Sequence, residues 1–436
     1  MESGISRRNF IRTTGLALGT GPLIWSRAVG SSPNETINHA VIGTGSQGSG
    51  HVERFDRATN CRVVAVCDVD PVRLEKAAQI PADKGAVKKY SDFRKLLENK
   101  DIDTVSVVTC DHWHTPVAMA AIMAGKHVYV EKPCSHNIHE ANLLVKCAEE
   151  HGKCVQHGTQ RRSASADMAG VRALKEGIIG DVYVAKAINH QLRDKIGKAP
   201  VEDPPPGVDY DMWLGAAPLH PFTRNRWHYN WHWFWDYGGG DLVNDGIHQL
   251  DEAIWGMGVD EVYPDFIVTS GGQLWYDDDH QTPDTQTIVY EYPGKQVIFE
   301  MRLWTPFKME GHDNGTVFYG TKGRMDIGRA GVTVDIDGKQ SKITPEDYGI
   351  NAEPIVQNFL TAARNDDPSL LNNPIQKGAV STNICHLGNI GTRCGGIKLT
   401  YDPATESIIN AGDKQSQANS MIRRTYRKGY ELPYKG

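Results

Sequence analysis

The sequence has no long uninterrupted apolar run, no paired cysteines and no stripe of basic residues. Each absence excludes something. Its 8 cysteines among 436 residues form no Cys-x-x-Cys pair and stand at no zinc-ligand spacing with histidine, which argues against a disulfide scaffold or a structural zinc site. They read as small buried apolar side chains. No segment approaches the roughly 20 apolar residues that cross a bilayer, so no stable membrane anchor is expected. The formal charge is -6 overall and +3 over residues 1–30, which leaves the rest of the chain at -9. A body that acidic repels phosphate backbones, and nucleic acid is not expected as a partner. With 39% hydrophobic and 23% charged residues, the balance is that of a globular chain of two or three domains.

What is present begins with an address. Ser6-Arg7-Arg8-Asn9-Phe10-Ile11 precedes a weakly apolar stretch from Gly15 to Trp25, broken by Pro22 and followed by the small residues Ser26, Ala28 and Gly30. This order reads as a twin-arginine export signal over residues 1–30, with a periplasmic or otherwise exported destination. That pathway carries proteins already folded, often around a cofactor, so a cofactor enzyme outside the cytoplasm is expected.

After a polar linker, Ala40-Val41-Ile42 runs into Gly43-Thr44-Gly45-Ser46-Gln47-Gly48, and a β-branched run from Val63 to Cys67 ends at Asp68, 20 residues beyond Gly48. This is the dinucleotide-binding fingerprint in its proper setting. Gly43 serves the tight turn, Gly45 the approach of a pyrophosphate, and Gly48 the packing of the following helix. Asp68, at the place of the adenosine ribose, repels a 2′-phosphate and favours NAD over NADP. Helical patterns at Pro71 to Gln79, at Asp92 to Glu98 and from Thr115 to a stop at Gly125 alternate with strands at Thr104 to Val108 and Val128 to Val130. The expectation is an α/β chain with a doubly wound parallel sheet over residues 36–157. Ligands bind at the carboxyl ends of such strands, which singles out Thr109, His112 and His114 after one strand and Glu131-Lys132-Pro133 after another.

The second part, residues 158–400, reads differently. Strand-like runs at Val182 to Ile188, Phe266 to Thr269, Thr287 to Tyr290, Val297 to Leu303 and Val317 to Tyr319 precede helical spacing at Pro354 to Ala363 and Ile375 to Ile390. A strand from Ile397 leads into a polar, basic tail, residues 401–436, expected to wrap a neighbouring surface. The segment from Arg226 to Tyr237 holds 4 of the 10 tryptophans, including Trp227, Trp231 and Trp233 beside His228. That density suits a saccharide site, where aromatic planes meet the C–H faces of sugar rings. The alternative is core aromatics beneath an irregular loop. Arg161, with Arg162, is a further candidate for the pocket. Asp277-Asp278-Asp279-His280 reads as a solvated loop, and no metal site is expected.

Several of these motifs together resemble the Gfo/Idh/MocA oxidoreductase family, which includes glucose-fructose oxidoreductase and inositol dehydrogenase. They are Gly43-x-Gly45-x-x-Gly48; Ala124-Gly125-Lys126-His127-Val128 before Glu131-Lys132-Pro133; Gly238-Gly239-Gly240 leading to Gly246-x-His248 and Asp251; and Tyr319-Gly320-Thr321-Lys322-Gly323. The resemblance implies a Rossmann domain and a C-terminal α/β domain whose open, mostly antiparallel sheet covers the nicotinamide and mediates homo-oligomerisation. It implies NAD-dependent oxidation of a secondary hydroxyl on a sugar, glycoside or cyclitol. His248 is then the base and Lys132 the group that stabilises the reacting oxygen. The family's usual Asp four residues before the histidine falls here on Asn244, which cannot ionise. Asp245 is expected to point elsewhere on a helix, although both belong with the residues that meet substrate. Two alternatives stay open: redox-neutral glycoside cleavage, as in the family's NAD-dependent α-N-acetylgalactosaminidases, and a non-catalytic sugar sensor.

Overall fold

The structure, a computed structural model, describes residues 36–81 and 85–436. The export signal expected over residues 1–30 lies outside them. Among the described residues no helix is long and apolar enough to cross a membrane.

The β-branched runs build a six-stranded parallel sheet from β1 (Ile37–Ile42), β2 (Cys61–Cys67), β3 (Lys88–Tyr90), β4 (Thr104–Val107), β5 (His127–Val130) and β6 (Val155–His157), in the order β3-β2-β1-β4-β5-β6. The order reverses between β1 and β4, which opens a crevice at the carboxyl ends of those two strands. Five helices alternate with the strands: α1 (Ser46–Arg57), α2 (Pro71–Ala78), α3 (Phe93–Leu97), α4 (Asp111–Met123) and α5 (Ile138–Glu150). Asp70 starts α2 by accepting from the backbone N–H groups of Val72 and Arg73, with Pro71 at the first helical position. The fourth helix begins at Asp111, four residues before the expected Thr115. It is buried nearly all round from Asp111 to Ile122, so it has no polar face from which a helical period can be read. His112 and His114 therefore lie in its first turn and not in a loop.

The second domain adds α6 (Ser165–Lys175), β7 (Val182–Asn189), α7 (Tyr210–Leu214) and α8 (Ile247–Met257), then β8 (Phe266–Gly272), β9 (Thr285–Tyr292), β10 (Lys295–Arg302), β11 (Asn314–Gly320), β12 (Arg324–Gly328), β13 (Gly331–Ile336) and β14 (Lys339–Ile343). These strands form a nine-stranded sheet with β15 (Lys398–Leu399), in the order β14-β13-β12-β11-β7-β10-β9-β8-β15. Only the β7–β10 pair is parallel. Along β9 every second residue is buried, as expected when one face of a sheet packs on helices. Those helices are α6, α8 and the long α10 (Ile375–Arg393), whose apolar residues share one core with Ile288, Phe299 and Phe318 of the sheet.

Two later segments return to the parallel sheet. The helix α9 (Ile355–Asn365) packs Phe359 edge-on against Phe55 at 6.1 Å and joins the cluster of Ile37 and Val41. The C-terminal tail, expected to wrap a neighbouring surface, packs on its own chain: Tyr401, Ile408 and Ile422 join the core of the nine-stranded sheet, and its end lies on the parallel-sheet domain. Leu432 and Tyr434 enter the cluster of Val105 and Leu144, and Arg424 Nε donates to the fully buried Glu140 at 2.7 Å.

Candidate active site

The crevice is a cleft of about 660 Å³. Its floor is the glycine turn between β1 and α1. Gly43 has φ +88°, a conformation that side-chain-bearing residues rarely adopt, and a Cβ there would come within 2.4 Å of the Val108 carbonyl oxygen. A Cβ on Gly48 would lie 1.9 Å from the Gly43 oxygen, so the helix can start this close to the strand only with glycine. The turn thus bares the first backbone N–H groups of α1 toward the cleft, which suits a pyrophosphate. Gly43, Gly45, Ser46, Gln47, Gly48 and Asp68 all line it. Asp68 Oδ2 accepts from the Thr44 N–H at 2.7 Å and its hydroxyl at 3.0 Å, while Oδ1 accepts from the Asp70 N–H at 2.9 Å. Burial raises its pKa, opposed by these hydrogen bonds and by Arg73.

Farther along, Thr109, His114, Glu131 and Lys132 line the cleft. His114 bridges two loops, with Nδ1 at 2.6 Å from the Pro133 carbonyl and Nε2 at 3.0 Å from the Thr109 carbonyl. Lys132 Nζ donates to the Asn244 carbonyl at 2.6 Å and to its side-chain oxygen at 3.2 Å. Leu242–Gly246 form a π-helical turn immediately before α8. The extra residue in that turn changes the register, and Asp245 faces the cleft together with Asn244 and His248. The expectation that Asp245 points elsewhere on a regular helix is corrected by this geometry. Burial alone would raise the Asp245 carboxyl, but Arg193 and Lys132 hold it below the usual carboxylate range. Arg193 also bonds Asp241 at 2.9 Å, whose carboxyl burial and the neighbouring Asp245 push up. His248 is pushed down to about 3 by burial and by Lys132, so its imidazole is neutral, and its Nδ1 has no hydrogen-bond partner.

A segment of the second domain roofs the cleft with Trp213, Trp227, His228, Tyr229, Trp231 and His232. The roof is fastened to the first domain. Trp113 Nε1 donates to the Trp213 carbonyl at 3.0 Å, and Arg427 Nε of the tail donates to the Gly215 carbonyl at 2.8 Å.

Three residues expected at the site do not line it. His112 is fully buried with Nε2 at 2.9 Å from the Trp213 carbonyl, so it braces the roof. Trp233 is buried against His280 and Arg193, as the core-aromatic alternative holds. Arg161 is drawn to Glu252, Asp167 and Asn314, because buried carboxylates outcompete an open cleft for a guanidinium. Cleft residues not named among the expected site residues include Arg73, Asp111, Trp213, Tyr229 and His232. Arg73 passes over Gly45, with Nη1 at 2.6 Å from the place of a Cβ there. Its position in the first turn of a helix after an acidic strand end was the signal available for it. Among the described residues no group of three or more His, Cys, Asp or Glu is arranged to hold a metal ion.

The reversing strand order, glycine turn and acidic strand end define a Rossmann-type dinucleotide-binding protein. The chain belongs to the Gfo/Idh/MocA family: residues 37–159 match the oxidoreductase family's NAD-binding Rossmann fold and residues 189–432 its C-terminal alpha/beta domain. A glycosyl hydrolase family 109 protein of Shewanella pealeana is 28% identical over 214 residues, 43% of this chain and 47% of that protein. An inositol 2-dehydrogenase/D-chiro-inositol 3-dehydrogenase of Shouchella clausii is 31% identical over 159 residues, 36% of this chain and 45% of that protein. The chain spans about half the length of the curated relatives it matches. The solved aldose-aldose oxidoreductase of Caulobacter crescentus, complexed with glycerol, has a TM-score of 0.65 at 17% identity, covering 84% of this chain and 99% of that one, a likeness of fold.

Proposed function

We propose that the protein is an NAD-dependent oxidoreductase acting on a secondary hydroxyl of a sugar, glycoside or cyclitol. The observation that carries this reading is the convergence of Lys132, Asn244, Asp245 and the neutral His248 on one roofed cleft. NAD bound there would accept hydride from the substrate carbon and return it to a carbonyl. His248, whose imidazole is neutral, takes the hydroxyl proton. Lys132, steered by Asn244, donates to the same oxygen as its charge develops. The roof supplies aromatic planes for the C–H faces of a sugar ring and keeps water from the reacting centre. The fixed Asp68 carboxylate favours NAD over NADP.

A second reading keeps the site and makes the net reaction redox-neutral cleavage of a glycoside. Glycosyl hydrolase family 109 relatives support it, and the neutral His232 and the protonated Tyr229 hydroxyl stand in the cleft as further polar groups. Export through the Arg7-Arg8 signal supports the same direction, because a compartment without a soluble NAD pool requires a cofactor that is held and restored in place. The fastened roof is a means of holding it.

Mass spectrometry of the purified protein is expected to find bound NAD, with multiple turnovers and no added nucleotide in assays of single sugars, sugar pairs and aryl glycosides. Turnover of single sugars only with excess free NAD would reject cofactor retention and leave an ordinary dehydrogenase. Binding of sugars without turnover of any would leave a sensor. Replacing Arg7 and Arg8 by Lys is expected to stop export, and continued delivery by the same pathway would reject the address.

A further inference from the structure

Behind the cleft the parallel sheet holds polar side chains in the place of apolar core. His39, fully buried in the middle of β1, has Nδ1 at 2.8 Å from Thr104 Oγ1 and Nε2 at 2.9 Å from Ser106 Oγ, both on β4. The same Ser106 hydroxyl lies 3.1 Å from Nδ1 of His51 on α1, and His51 Nε2 lies 2.9 Å from Glu131 Oε1. Phe55 stacks on His39 with ring centroids 3.6 Å apart, and Tyr129 sits edge-on to His51 at 4.9 Å, so no water reaches between them. Of these five polar residues only Glu131 lines the cleft.

The chemistry gives the chain one direction. A serine hydroxyl has a single proton and can donate to only one of two imidazoles. Burial keeps both histidines neutral, and although burial alone would raise Glu131, the His51 hydrogen bond holds it well below the usual carboxylate range. A carboxylate only accepts, so His51 must donate from Nε2 and accept at Nδ1 from Ser106. Ser106 in turn accepts from His39 Nε2–H, and His39 Nδ1 accepts from Thr104. The reverse order would set two acceptors face to face at His51 and Glu131. The row also ends at an alcohol, which cannot give up its proton at neutral pH, so it conducts nothing and only orients.

We infer that Thr104, His39, Ser106 and His51 are a positioning row that fixes Glu131 as an oriented anion in the cofactor cleft. Gln47 Nε2 donates to Glu131 Oε1 at 3.1 Å and the Lys132 N–H donates to Oε2 at 3.2 Å. One lone pair of Oε2 is thereby left for a ligand hydroxyl, of the kind a nucleotide ribose offers. The row deepens the reading of the cleft as an NAD site and rests on it.

The test uses the holoprotein and two measurements. The first is exchange of bound NAD against isotopically labelled NAD. Relative to wild type, His51→Leu and Ser106→Ala are expected to exchange about 10-fold faster, the usual effect of removing a second layer of hydrogen bonding. His51→Gln, whose amide donates to Glu131 without help, restores most of the loss, and adding Ser106→Ala to it changes nothing further. Wild-type exchange in Ser106→Ala, or additive effects in the double variant, overturns the inference. The second is nitrogen-15 NMR of labelled histidines, which reads the row whether or not NAD is bound. Both His39 and His51 are expected as Nε2–H tautomers, with that of His51 mixed in Ser106→Ala. If wild type holds no NAD, the cofactor reading falls by itself, and an Nδ1–H tautomer at His51 then overturns the row.

Discussion

Lys132 and Asn244 are joined twice, by a 2.6 Å bond from Nζ to the backbone carbonyl and a 3.2 Å bond to the side-chain oxygen, so the loop after β5 and the π turn before α8 hold each other. The Asn244 amide nitrogen faces the other way, donating to Asp241 at 2.9 Å and to the Tyr229 hydroxyl at 3.2 Å. An acid at this position would set a second carboxylate against Asp241. Asn244→Asp is therefore expected to lower stability by about 2 kcal/mol, the cost of an unsatisfied buried polar group, and to lower turnover. Denaturant titration and steady-state kinetics check this. A large gain in rate would show that the usual aspartate relay is simply missing.

Removing either reacting group is expected to be costly. Lys132→Ala and His248→Ala should each reduce turnover by roughly 10²–10⁴-fold while bound NAD, measured by absorbance and mass spectrometry, stays near wild type. An empty cofactor site or a collapsed melting curve in both variants would remove the support this gives to their acid-base roles.

Stability should fall in mild acid. Burial pushes His112 down to about 3 and His157 and His386 down to about 4, whereas each titrates near 6.5 when unfolded. Below about pH 6.5 the unfolded chain then binds protons that the folded one does not, so stability is full above that pH and declines toward pH 4. Each histidine contributes up to about 1.4 kcal/mol per pH unit in that window. Melting curves from pH 7 to pH 5 test the sign, and a constant midpoint would contradict it.

The glycine turn, Asp68 and the Glu131-Lys132 pair were legible because each role depends on local chain geometry at a strand end. Other features depend on partners far away in sequence. The π turn leaves no compositional trace, so the inward turn of Asp245 could not be read from helical spacing. Arg161 is decided by Glu252, 91 residues along, and Trp233 by His280. The hairpins β12 to β14 were missed for another reason. Four of the five residues of β14 are exposed, so that strand carries no apolar alternation, whereas β12 and β13 do alternate but are only five and six residues long.

The tail offers a direct test of its clasp. Arg424 is the only cation bonded to the fully buried Glu140 among the described residues, with the Tyr426 hydroxyl donating at 2.8 Å. Arg424→Ala leaves that carboxylate uncompensated and is expected to destabilise the protein by about 3 kcal/mol. Chemical denaturation gives the value, and the companion Glu140→Gln in the same background should recover part of it. No change in the first variant would mean that the clasp is decorative.

That clasp also sets an order on how the protein comes into being. The nucleotide domain is encoded early, yet its apolar cluster is completed by Leu432 and Tyr434, and one flank of its sheet by Phe359. On a ribosome those residues are made well after the first strands of the domain have left the exit tunnel. The early half therefore carries an unsealed apolar cluster until those later residues arrive, so the nucleotide domain is completed by contacts of long sequence separation.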